Sequence, residues 1–264
     1  MKTREQTALL AVGAALLALG PQAFGQSIAE QVERVDDGKV RMSFATRPDV
    51  CGDGRGSISF AGGRDRQVRR GRGDDWDWEC ESGPARVVLR VHDGEVTEID
   101  AYVGGRWRPA TSGTVDLGTV SAPQAARYFM SLARKSDRAG DDAIFPAMLA
   151  DSSSVWPELL DIAKDASLQS KTRTSAVFWL SQAAADAATE GLSEIALDDS
   201  EDWDVRKTAV FGLSQRADDE GVPALIRIAR TNDDPRLVRQ ALFWLGQSED
   251  PRAVELFEEL LTKR

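Results

Sequence analysis

Apolar and polar positions alternate along this chain with two different periods, and the change of period divides it. Between Val40 and Val103 the period is two. Val40-Arg41-Met42-Ser43-Phe44 alternates, Ser57-Ile58-Ser59-Phe60 reads as a second short strand, and Val87, Leu89 and Val91 face one way with Arg90 opposite. Asp93-Gly94 makes a tight primed turn, and Ile99, Ala101 and Val103 return on a common face, so this stretch predicts a β-hairpin. From Ser121 onward the period lengthens to three and four. Ser121 is placed to cap a helix with Ala122 and Pro123 in its first turn, and Ala125, Ala126, Phe129, Leu132 and Ala133 carry that helix to about Lys135. The Gly-, Thr- and Pro-rich residues 104–121 between the two halves read as a linker.

Beyond this helix the pattern repeats. Arg173-Thr174-Ser175-Ala176-Val177-Phe178-Trp179-Leu180-Ser181-Gln182 recurs as Arg206-Lys207-Thr208-Ala209-Val210-Phe211-Gly212-Leu213-Ser214-Gln215. It recurs again as Arg239-Gln240-Ala241-Leu242-Phe243-Trp244-Leu245-Gly246-Gln247. Ala176 to Ala209 is 33 residues and Ala209 to Ala241 is 32. Ala143-Ile144-Phe145, 33 residues before Ala176, is a degenerate earlier copy in which Pro146 is expected to kink or end the element. Each copy is followed by a second amphipathic stretch, at 156–163, 188–196, 222–229 and 253–261. Four helix pairs are therefore expected, with the helix at 122–135 as an additional lid. A fixed period in this range marks stacked units that bury their apolar faces only against neighbours.

The segments Asp204-Val205-Arg206…Ala209…Leu213 and Asp234-Pro235-Arg236-Leu237-Val238-Arg239…Ala241…Leu245-Gly246, followed by Asp250-Pro251-Arg252-Ala253, resemble HEAT repeats. They are most similar to the short bacterial kind related to the HEAT-like repeats of phycobilisome lyases. The resemblance covers roughly residues 140–264 and does not extend to the β region. It implies a solenoid used for protein–protein binding or scaffolding, in which the repeated Arg173, Arg206 and Arg239 are structural and reach the turn or the preceding Asp204 and Asp234. The lyase chemistry itself does not fit an exported chain. The expected architecture is a small N-terminal antiparallel β domain, a sandwich or partly open barrel, followed by an α-α superhelix of HEAT-like type. Its divisions are a signal peptide at 1–25, a disulfide-containing β domain at 26–118 and the solenoid at 119–264.

Export is read from Lys2 and Arg4, the apolar run Ala8 to Leu19 and the small residues before a cleavage point after Gly25. That run is too short to span a bilayer, so no membrane insertion is expected after removal of the leader, and the location is periplasmic or secreted. In an oxidising compartment Cys51 and Cys80, the only cysteines, are expected to join.

Charge is uneven. Residues 26–136 hold 17 acidic and 17 basic side chains, whereas 137–264 hold 25 acidic and 14 basic. The acidic solenoid argues against nucleic acid and suits a protein or peptide partner, possibly a basic one.

Candidate chemistry is sparse. No catalytic residue, cofactor or metal site is assigned. His92, the only histidine, sits at a hairpin tip with no nucleophile beside it. Arg69 and Arg70 with Trp76 and Trp78 form a basic and aromatic loop that reads either as a ligand loop or as a charged hairpin. The enzymatic alternative is an envelope hydrolase using Asp49, Asp53, Asp74 and Asp77 near the cysteines. For partner binding the best candidates are Trp179, Trp203, Arg206 and Trp244, on a concave strip of the solenoid. Gly212, standing where the flanking copies carry Trp, is expected to border a surface depression. Neither the partner's identity nor the oligomeric state follows from the sequence.

Overall fold

A computed structural model describes residues 27–60, 69–70, 79–107, 109–151, 154–182, 186–216 and 219–262. Residues 1–26, where the leader is expected, and Asp74, Trp76, Asp77 and Trp78 lie outside the described residues.

The chain begins with a capped helical turn, α1 (Ile28–Val32), in which Ser27 and Glu30 exchange backbone and side-chain bonds. Strands β1 (Gly38–Phe44), β6 (Ala85–His92), β7 (Glu95–Tyr102) and β8 (Thr114–Thr119) form one sheet in the order β7-β6-β1-β8. A second sheet, β4-β3-β2-β5, is built from β2 (Val50–Gly52), β3 (Ile58–Phe60), β4 (Arg69–Arg70) and β5 (Glu81–Ser82). The hairpin β6–β7 turns at Asp93 and Gly94, both with positive φ of 53° and 73°, as a two-residue primed turn requires. The first sheet is mixed rather than antiparallel, because β8 runs parallel to β1. The stretch expected to be a linker thus contains a strand. Its residues are mostly exposed, so burial leaves no alternation there to read; the strand is held by an edge pairing and by Val120 N–H to the Ser43 carbonyl at 2.9 Å.

In the first sheet Val40, Met42 and Phe44 of β1 and Val87, Leu89 and Val91 of β6 are buried on one face. That face rests on helices: Phe44 meets Phe129 of α2 (Ala122–Lys135) with ring centroids 6.1 Å apart. The helices continue as α3 (Gly140–Leu149), α4 (Trp156–Lys164), α5 (Ser170–Ser181), α6 (Asp186–Leu197), α7 (Trp203–Ser214), α8 (Val222–Thr231), α9 (Pro235–Leu245) and α10 (Pro251–Thr262). Ala176, Ala209 and Ala241 occupy equivalent, fully buried places in α5, α7 and α9. Pro146 does not end α3, which runs on to Leu149. The repeating helices pack as a solenoid.

Among helices adjacent in sequence, the most extensive packing pairs α2 with α3, α4 with α5, α6 with α7 and α8 with α9. Each repeat helix leans more closely on the helix before it than on the one after, so the tight hairpins are offset by one helix from the expected pairs. Two buried arginines reinforce that choice. Arg173 of α5 donates through Nε and Nη2 to the Ala163 carbonyl at the end of α4, both at 3.1 Å, and pairs with Glu201. Arg206 of α7 donates to the Ala196 carbonyl at the end of α6 at 3.2 Å and to Asp199 at 2.7 Å. Both therefore satisfy C-terminal helix carbonyls that would otherwise lack donors. Arg239 does not share this role. Counting from the repeated alanine, its helix presents Val238 at that position, and Arg239 is exposed. Asp234 caps α9 through the Arg236 N–H at 2.9 Å and holds the Arg236 guanidinium rather than a repeat arginine.

The two regions share one continuous core. The segment after β1 runs antiparallel to the end of α3, with Arg47 N–H donating to Leu149 at 3.0 Å and Asp151 N–H donating to Ala45 at 2.9 Å. Cys51 and Cys80 form a disulfide joining β2 to the residue before β5, with Cα atoms 5.3 Å apart. Among the described residues, no helix is long and apolar enough to cross a membrane.

Candidate functional site: the aromatic column of the solenoid

The repeat places a Phe and, one residue later, a Trp near the end of its first helix. In a solenoid these rings meet between units. Phe145 of α3 lies 5.5 Å from Trp179 of α5, and Phe211 of α7 lies 5.3 Å from Trp244 of α9. The Phe of one copy thus packs on the Trp of the next. The pattern skips one step, because Gly212 stands at the Trp position of α7. A Cβ there would already lie 3.1 Å from both Leu192 Cδ2 and Ser181 Cβ, so α5 and α6 close on the backbone. Gly212 is buried, and the expected surface depression at that position is replaced by close helix packing.

The two Phe–Trp pairs differ in what lies over them. Phe60 of β3 sits 5.6 Å from Trp179 and 6.4 Å from Phe145, and Trp179 is only 7% exposed. At the second pair no ring from the β region is present among the described residues. There Phe211 and Trp244 are half-buried, and Phe243, packed edge-on against Trp244 at 5.0 Å, is 56% exposed.

Trp244 also walls a cleft of about 370 Å³ between the ends of α7 and α9 and the start of α8. Gln215 and Gln247, the repeated polar ends, line it together with Asp219 and Glu249. Gln215 Nε2 donates to Ser214 Oγ at 3.1 Å, and Ser214 Oγ donates to the Phe211 carbonyl at 2.7 Å, a relay repeated by Gln182, Ser181 and Phe178. Arg216, also on the cleft, is buried, and it holds Glu220 at 2.9 Å and Thr189 at 2.7 Å. The cleft therefore offers an aromatic wall, two carboxamides and two carboxylates.

The four candidate residues occupy different environments. Trp179 and Arg206 are interior, in the ring cluster and the helix-end network described above. Trp203 opens α7, half-buried, with the Arg236 guanidinium 4.4 Å from its ring centroid. Trp244 comes eight residues after Arg236 on α9, about 12 Å further along the helix, so Trp203 and Trp244 face different ends of the same helical layer. The covering role of Phe60 had no signal in the repeat, since it comes from a strand in the β region, before the first copy begins. Asp219 and Glu249 lie in inter-helix turns whose position depends on the solenoid's stacking.

Of the carboxylates considered for hydrolysis, the two among the described residues have other work. Asp49 pairs with Arg47 at 2.9 Å. Asp53 Oδ1 accepts backbone N–H bonds from Arg55, Gly56 and Ser57 at 2.7–3.0 Å. Burial pushes its carboxyl up, but the hydrogen bonds from Arg55, Ser57 and Gly56 together outweigh it and hold the group below its ordinary range. At the hairpin tip, His92 Nδ1 is 2.6 Å from Asp37 and Nε2 is 3.5 Å from Asp93. Ligand atoms of these three exposed groups lie within 4.8 Å of one another. Each ring nitrogen faces a carboxylate, which is also the arrangement of a surface ion pair.

No curated protein matches the chain. Residues 189–264, beginning within α6, match a family model described as HEAT repeats, consistent with a HEAT-like C-terminal region.

Proposed function

We propose that the chain is a non-enzymatic, extracytoplasmic scaffold that binds a protein or peptide on its solenoid. One observation carries the reading: the Phe211–Trp244 pair and Phe243 stand open beside a cleft, whereas the equivalent Phe145–Trp179 pair is roofed by Phe60. Half-exposed aromatic rings beside amide and carboxylate groups are the composition of binding hot spots. The acidic balance of residues 137–264, 25 acidic against 14 basic, together with Asp219 and Glu249 at the cleft, favours a basic and partly aromatic partner segment. Placement outside the cytoplasm is supported by the leader-like residues 1–25 and by the Cys51–Cys80 pair.

The test is site-specific photo-crosslinking in the native host, with the reactive residue at position 243 or at position 178. A discrete adduct at 243, absent at 178 and lost on Trp244→Ala, is expected. Equal labelling at both positions, or an adduct indifferent to Trp244→Ala, contradicts the reading.

A further inference from the structure

Among the described residues, a dense group of cations lies at the other end of the molecule, on the first sheet. Its inner face is apolar, so strand alternation puts the remaining side chains on the opposite face. The register sets them in rows. Lys39 of β1 is opposite Arg90 of β6, Arg41 is opposite Val88, and Arg86 is opposite Tyr102 of β7. The segment after β7 folds across this face and carries Trp107, whose ring lies 4.7 Å from the Arg41 guanidinium. Between sheet and segment is a cavity of about 470 Å³.

Its lining includes six cations, Lys39, Arg41, Arg55, Arg86, Arg90 and Arg106, and one carboxylate, Asp100. Ion pairs account for two of the six. Arg41 Nε donates to Asp116 at 2.8 Å, and Arg90 lies 3.1 Å from Glu98 and 3.4 Å from Asp100. The other four have no carboxylate partner among the described residues. Arg86 is the telling one. It is half-buried, and its bond goes to the neutral carbonyl of Gly104. Partly desolvating a guanidinium costs free energy that a neutral acceptor only partly offsets. Its protein carries net charge −10, so this cavity is a local reversal of sign.

We propose that this cavity binds a compact anion of sugar size that carries two or more phosphate or carboxylate groups. Guanidinium groups match forked oxyanions with paired hydrogen bonds, and the volume falls in the range of small-molecule sites. Trp107 and Tyr102 at the cavity offer ring faces for the body of such a ligand. An extended polyanion fits less well. Beyond the cavity it meets Glu98 and Asp116 on the same face, and then an acidic solenoid. This site is separate from the aromatic cleft, so either can fail without the other.

The test is calorimetric titration of the full chain at low salt with inorganic pyrophosphate, digalacturonate, neutral maltose and a single-stranded oligonucleotide. Pyrophosphate or digalacturonate is expected to bind, maltose is not, and affinity should fall as salt rises. Arg86→Gln is expected to weaken the bound anion by about tenfold or more, the size of a lost charge-assisted hydrogen bond. The paired substitution Lys39→Gln with Arg106→Gln, at exposed positions, gives the same readout should Arg86→Gln perturb folding. Trp107→Ala should weaken digalacturonate more than pyrophosphate. Absence of binding by both anions up to about 10 mM, indifference to these substitutions, or tighter binding of the oligonucleotide overturns the proposal.

Discussion

Two Phe–Trp pairs built from the same repeat positions have different fates in this molecule. Phe145 and Trp179 are roofed by Phe60 and belong to the core that joins sheet to solenoid. Phe211 and Trp244 make nearly the same ring contact, at 5.3 Å against 5.5 Å, yet stay half-exposed with Phe243 beside them. The repeat supplies the pair, and the neighbour decides whether it becomes stability or surface. A strand segment of three residues, Ile58–Phe60, makes that decision for the first pair.

The contrast breaks most visibly on truncation. Trp179→Ala should cost about 3–5 kcal/mol in denaturant unfolding, the range for emptying a buried aromatic site. Trp244→Ala should cost well under half as much, and an equal loss at both positions would erase the distinction. Reducing the Cys51–Cys80 bridge should lower stability by about 3.5 kcal/mol on the chain-entropy account, since its sequence separation is 29. That loss should fall on the covered pair, because β2 and β3 are the strands that present Phe60. Arg173→Met, which leaves the side chain of Glu201, only 8% exposed, without its cation, should cost about 3 kcal/mol. Ser121→Ala, removing the cap of α2, should cost about 1 kcal/mol.

The smallest effect concerns acid. The Arg236 side chain and then its backbone N–H hold the Asp234 carboxyl at about 2, against an ordinary 3.8. A depressed carboxylate favours the folded state above its unfolded value. That contribution is lost as pH falls through the folded one, here between about 4 and 2. Carboxyl NMR should find Asp234 titrating near 2, and Arg236→Gln should return it toward its ordinary range.

Much of the helical half was readable because a repeat states the same packing rule several times. The period fixed Ala176, Ala209 and Ala241 as equivalent core positions, and the helix from Ala122 to Lys135 followed from its cap and spacing. What the pattern left unread depended on partners distant in sequence. The parallel edge strand β8 has no buried face to mark it, and Gly212, whose missing side chain points to a surface depression, is instead a close contact with Leu192 and Ser181. Arg239 shares a letter with Arg173 and Arg206 but sits one residue off their register, which only the alanine spacing reveals. The basic cavity required strand register: alternation alone places Arg86 and Arg90 outward, but not Lys39 and Arg41 beside them.

The most direct test of covered against open is fluorine NMR of the fluorotryptophan-labelled protein with a soluble paramagnetic agent, using Trp179→Phe and Trp244→Phe to assign the two signals. The account predicts a protected Trp179 signal that becomes accessible on Phe60→Ala, and a Trp244 signal that is broadened throughout and unchanged by that substitution. Equal protection of both rings, or a Trp179 signal indifferent to Phe60→Ala, would contradict it.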